Sequence, residues 1–208
     1  ENLAVRGLSM TITAFGPTYA TAKGYSEDDG ALLLAAMPVG TLILQMPLGW
    51  LSDRTDRRHV LVFAALLAVA AGLLALGFDG AALAALIVIY VVWDGAAESV
   101  YSLATAHASD RAGRDDLVAL SSSLLFAWSV AGFVVPGIVT GLSALYGTQV
   151  FIHVAVAISA AYALFVAWRV ATAKPAPATA SFAPMTAQAP LPVDLAFSSD
   201  DGPERPEP

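Results

Sequence analysis

Cysteine is absent from the 208 residues, so neither a disulfide nor a thiolate metal site contributes, and cysteine usage gives no reading of the redox compartment. Charge is scarce as well. Only 13% of residues are charged, against about 25% in soluble domains. No basic n-region with a short apolar core and a cleavage site precedes the first apolar run, and the chain opens on Glu1, which reads as a fragment whose upstream part is missing. Motifs for catalysis are missing too: there is no His-Glu-x-x-His run, no phosphate-binding Gly-Lys-Ser/Thr loop and no serine nucleophile elbow. His59, His107 and His153 are scattered over separate segments, so no enzyme, metal site or cofactor is expected.

What is abundant is apolar surface. Hydrophobic residues make up 57% of the chain, and mean hydropathy is +0.68. A helix needs roughly twenty apolar residues to cross a hydrocarbon core of about 30 Å. Six such runs are predicted, from Ala4 to Ala22, Ala31 to Leu51, His59 to Phe78, Ala81 to Leu103, Leu117 to Leu145 and Val150 to Val170. The first is the weakest, diluted by Ser9, Thr11, Thr13, Gly16, Pro17 and Thr18. Lipid offers backbone groups no water and no alternating barrel pattern is present, so the runs are helices and the fold class is an all-α, six-helix transmembrane bundle over residues 1–172.

The net charge of −7 belongs largely to a tail that carries Asp194, Asp200, Asp201, Glu204 and Glu207. Residues 173–208 are rich in Pro, Ala and Ser and bury too little to offset their ordering entropy, so this segment is expected to be disordered. Basic residues punctuate the runs unevenly. Arg6, then Arg54, Arg57 and Arg58, then Arg111 and Arg114, then Arg169 and Lys174 fall at the start and after the second, fourth and sixth runs, whereas the opposite ends hold Lys23 with Glu27, Asp28, Asp29 and Asp79. The positive-inside rule then places both termini in the cytoplasm of a multi-pass plasma (inner) membrane protein, as an even number of spans requires. Asp115 and Asp116 precede the fifth run, where a helix N-terminus favours carboxylates.

Small residues mark expected packing faces. The third run is alanine-rich from Ala64 to Gly72, and in the fifth Gly137 and Gly141 form a small-xxx-small pair that lets backbones approach.

The fourth run contains the costly residues. Tyr90, Asp94, Glu98 and Tyr101 recur at helical spacing on one face, and each buried carboxylate costs roughly 2.5–3.5 kcal/mol on insertion scales. Counting about 1.5 Å per residue from Ala81 places Asp94 near the midplane and Glu98 closer to the cytoplasmic boundary. These two are candidates for a substrate or proton pathway, against the plainer reading that Asp94 bonds a neighbouring hydroxyl and Glu98 faces cytoplasmic water. Gln45, Thr13, Tyr19, Ser121 to Ser123 and Trp128 are weaker candidates, each more often a helix-packing contact than a substrate ligand. Gly16 and Pro17 are placed to interrupt the first helix.

The loop after the second run, Gly49-Trp50-Leu51-Ser52-Asp53-Arg54-Thr55-Asp56-Arg57-Arg58, resembles the signature loop of the major facilitator superfamily, with a glycine, an aspartate four residues later, an arginine and a basic pair. It occupies the corresponding place, between the second and third helices of a six-helix half. The resemblance implies that Gly49, Asp53, Arg54, Arg57 and Arg58 form a cytoplasmic gating loop, where the carboxylate meets a neighbouring helix N-terminus or an arginine. On a continuing helical turn Asp53 would share a face with Arg57, and Arg54 with Arg58. Gln45-Met46-Pro47-Leu48-Gly49, the stretch from Tyr101 to Arg111, and Gly132 with Pro136-Gly137 extend the likeness to the C-terminal six helices of the bacterial YcaD-like subgroup.

That resemblance implies a secondary active transporter of a small solute, proton-coupled and working by alternating access between two six-helix halves. The implied partners are the lipid bilayer, the solute, protons and a missing N-terminal half, with no nucleic acid. A non-transporting membrane scaffold or sensor with the same fold, or a half-size protein pairing with itself, are the competing readings.

Overall fold

The computed structural model describes residues 2–78, 82–109 and 117–172. They form six α-helices: α1 (Asn2–Ala22), α2 (Glu27–Arg54), α3 (Arg57–Leu76), α4 (Leu83–Ser109), α5 (Leu117–Tyr146) and α6 (Val150–Thr172). Five of these, α2 to α6, contain stretches long and apolar enough to cross a membrane. The 21-residue α1 is long enough but too polar to join them, diluted by Ser9, Thr11, Thr13, Gly16, Pro17 and Thr18, of which Ser9 hydrogen-bonds across to α4. The proposed acidic tail, Asp79, the Arg111 to Asp116 stretch, Lys174, and the side chains of Arg6, Ser121 and Trp128 lie outside what is described.

Helix ends follow local chemistry. Ser26 caps α2 by accepting from the Asp29 amide while the Asp29 carboxylate accepts from the Ser26 amide, a reciprocal capping box. Glu27, Asp28 and Asp29 therefore sit in the first turn, where the helix dipole favours carboxylates. Between α2 and α3 the chain leaves helical geometry at Thr55 and Asp56, and Asp56 caps α3 through the Arg58 amide.

The organisation is radial rather than layered. α4 runs through the middle, in contact with α1, α2 and α3, while α6 packs on α3 and α1, and α5 leans on α1 and α6. Every residue of α4 from Trp93 to Thr105 is buried. Two apolar clusters lie along it: one around Tyr19, Met37, Leu86, Tyr90, Trp93 and Phe151, the other around Leu48, Leu61, Tyr101, Leu103 and Tyr162. Asp94 and Glu98 lie where one cluster gives way to the other along the helix.

Glycine contacts depart from the sequence expectation. At Gly137 and Gly141 a Cβ would meet nothing within 4 Å, so α5 brings no backbone close there. The small-residue pair faces outward because α5 is peripheral. The close approach is instead between α2 and α4, where a Cβ on Gly40 would lie 1.8 Å from the Val91 carbonyl oxygen and one on Gly95 2.4 Å from the Gly40 backbone. In α3, Ala64, Ala65, Ala68, Ala71 and Gly72 are buried as the alanine-rich pattern predicts.

Candidate functional site

The glycine crossing fixes the geometry of the acids. With α2 and α4 in backbone contact at Gly40 and Gly95, the next residue of α2, Thr41, comes beside the preceding residue of α4, Asp94. The Thr41 hydroxyl donates to Asp94 Oδ2 at 3.5 Å, a long bond. One turn further along α4, Glu98 accepts a hydrogen bond from the Ser9 hydroxyl of α1. The carboxylates are 5% and 8% exposed, so both are inside the bundle. Among the described residues, no basic side chain bonds Asp94.

A hydroxyl suits a carboxyl that changes protonation, because it donates to the anion and accepts from the acid. Each acid is tied to a different helix. The bonds that hold α4 to α2 and to α1 are therefore charge-assisted when the acids are ionised and weaker when they are protonated.

The remaining sequence candidates divide. Gln45 is buried and donates from Nε2 to Ser102 Oγ at 2.6 Å, a further α2 to α4 tie. Tyr90 is buried in the same cluster as Tyr19 and packs edge-on to Trp93. Tyr101 belongs to the second cluster, among Leu48, Leu61 and Tyr162. Thr13 is exposed, and its hydroxyl turns back to the Ser9 carbonyl of its own helix, away from the acids. On α5, Ser122 and Ser123 are exposed and Ser123 bonds the Ala119 carbonyl. Ser9 and Thr41 were missed from sequence, because a lone hydroxyl within an apolar run carries no local sign of the acid it meets.

The loop between α2 and α3 is also built differently from its expectation in one respect. Asp53 Oδ1 accepts from Arg57 Nη2 at 3.1 Å, the expected partner, but across a break in the helix. Because of that break Arg54 and Arg58 do not share a face. Arg54 stacks its guanidinium on the Trp50 ring at 3.9 Å, while Arg58 forms an ion pair with Asp56 at 2.8 Å. Hydrogen bonding from Arg58 holds the Asp56 carboxyl below its ordinary value of 3.8. Asp56 was not singled out from sequence; its position just before an apolar run is the N-cap signal that would have found it. Gly49 is buried on α2, one turn before Asp53.

A bundle of long apolar helices with acids sealed in its middle defines a polytopic membrane protein. The Major Facilitator Superfamily profile matches residues 3–199, and the chain belongs to that superfamily. It is similar to the "Uncharacterized MFS-type transporter YfkF" of Bacillus subtilis (strain 168), 42% identical over 55 residues. That match covers 26% of this chain and 14% of the relative, so only a small part of the relative's length is represented. No solved structure matches significantly. Family and fold together make the chain a multi-pass membrane protein of that superfamily.

Proposed function

We propose that this chain is the C-terminal half of a proton-coupled secondary transporter of a small solute, in the YcaD-like subgroup, with both termini in the cytoplasm and a second six-helix half completing the solute path. The observation that supports this reading is the pair of buried carboxylates on α4, each held by a hydroxyl from a different helix. A scaffold gains nothing from two intramembrane acids, whose insertion costs roughly 2.5–3.5 kcal/mol each.

In this mechanism protonation of Asp94 and Glu98 loosens the grip of α4 on α2 and α1, and deprotonation restores it. Rocking between access states then follows proton load. The Asp53 to Arg57 bridge, at the far end of α2, acts as the cytoplasmic latch. The test is reconstitution of the whole natural protein in vesicles and a screen for solutes taken up under an imposed pH gradient. For a solute so found, Asp94→Asn is expected to reduce gradient-driven uptake at least tenfold while solute exchange without a gradient persists. Gradient-driven uptake unchanged in Asp94→Asn removes the coupling role.

A further inference from the structure

The two ends of α2 are held in different ways. Between Gly40 and Gln45 the helix is fastened to α4 by the backbone crossing at Gly40 and Gly95, by the Thr41 hydroxyl on Asp94 at 3.5 Å and by the Gln45 amide on Ser102 at 2.6 Å. Pro47 follows, inside the helix. Over residues 48–54 the side of α2 that is buried consists of Leu48, Gly49 and Ser52. Leu48 and Gly49 have no polar side chain. The Ser52 hydroxyl is 0% exposed and, among the described residues, makes no hydrogen bond. At the tip, Asp53 bridges to Arg57, the first residue of α3, and Arg54 stacks on Trp50 of its own stretch.

Proline has no amide hydrogen and its ring crowds the carbonyl four residues back, so Pro47 leaves the Ile43 carbonyl without its helical donor. A helix bends most readily at such a point. Pro47 stands at the boundary between the fastened stretch and the rest of α2, whereas Pro38 stands on the other side of that stretch. A second joint closes the segment off, for the backbone is extended at Thr55 and Asp56. Residues 48–54 are thus a short rigid arm between two joints.

Ser52 adds an independent sign. Ser99 and Ser159, buried in the same bundle, satisfy their hydroxyls on the carbonyl four residues back, at 2.6 and 2.8 Å. Ser52 does not. A buried hydroxyl without a partner forfeits its hydration, and alanine would fill the same space without that loss.

We infer that Pro47 is the hinge of a movable arm, residues 48–54, which carries Asp53 and turns against the fixed stretch at residues 40–45, and that the Ser52 hydroxyl gains its hydrogen bond in the arm's second position. The hinge lets the loop end of α2 move while the crossing beside Asp94 stays in place. It goes beyond the proton-coupled reading and does not depend on it.

The experiment is hydrogen–deuterium exchange of the whole natural protein in nanodiscs, read on peptides covering residues 48–54 and 37–46. Pro47→Ala restores a donor to the Ile43 carbonyl and is expected to slow exchange over residues 48–54 at least fivefold, with residues 37–46 changed less than twofold. Pro38→Ala restores an equivalent bond on the far side of the fastened stretch and is expected to leave residues 48–54 as in the wild type. Ser52→Ala removes what the second position offers and is expected to slow exchange over residues 48–54 at least twofold. Exchange over residues 48–54 that Pro47→Ala leaves unchanged, or that Pro38→Ala slows equally, makes the arm a rigid part of α2 and overturns the hinge. Unchanged or faster exchange in Ser52→Ala overturns the role of the hydroxyl. None of these measurements involves transport, so this inference and the Asp94→Asn test fail separately.

Discussion

α4 and α5 are almost equally apolar by hydropathy, 1.7 and 1.8, yet 56% of the apolar stretch of α4 is buried and 12% of that of α5. Phe126 and Phe133 of α5 are among the most exposed large side chains, whereas Tyr90 and Trp93 of α4 are sealed. In lipid, apolar surface gains nothing by turning inward, so hydropathy does not rank helices by centrality. Polar groups do rank them. Asp94, Glu98 and Ser102 of α4 are answered by α1 and α2, while Ser123 and Ser129 of α5 bond their own backbone.

The largest test of that contrast is at the glycines. Gly40→Val pushes a side chain into the Val91 carbonyl of α4 and is expected to destabilise the bundle by about 3 kcal/mol or more, read from unfolding in detergent. Equal stability of this variant and the wild type would break the α2 to α4 seam as described. Ser9→Ala removes the hydroxyl that serves Glu98, an expected loss of about 1.5–3 kcal/mol; adding Glu98→Gln in a double-mutant cycle should show coupling between them.

The loop predicts a smaller effect with a pH signature. Asp56→Ala removes the α3 cap and the partner of Arg58, at about 1 kcal/mol. Since the folded state lowers the Asp56 carboxyl value below 3.8, its contribution is complete above that pH and is lost as pH falls through the lower, folded value. Unfolding midpoints between neutral pH and pH 5 should therefore show no change from this group, with the difference between wild type and Asp56→Ala narrowing only below 3.8. The smallest effect belongs to α5: Gly137→Ala enters open space inside the helix and should leave stability unchanged or raise it by up to about 1 kcal/mol. A large loss there would mean that a second surface covers α5 in the whole protein, which sharpens the contrast with α4.

Much of the architecture was readable from local pattern. Run length and basic loops gave six helices with ends within a few residues of those observed, except that α4 runs on from Leu103 to Ser109, and the spacing of Asp94 and Glu98 put both on one face of α4, because helical period and hydrophobic length are properties of short segments. Partner choice is not local. The chain could not show that Gly40 and Gly95, rather than Gly137 and Gly141, bring backbones together, nor that Ser9 and Thr41 are the hydroxyls that meet the acids. The break at Thr55 and Asp56, which turns Arg54 toward Trp50, arises from a cap that competes with helix continuation. Sequence alone determined where the long apolar helices lie; tertiary structure decided which faces meet, since lipid leaves apolar faces free to turn either way and only close approach and hydrogen bonding choose between them.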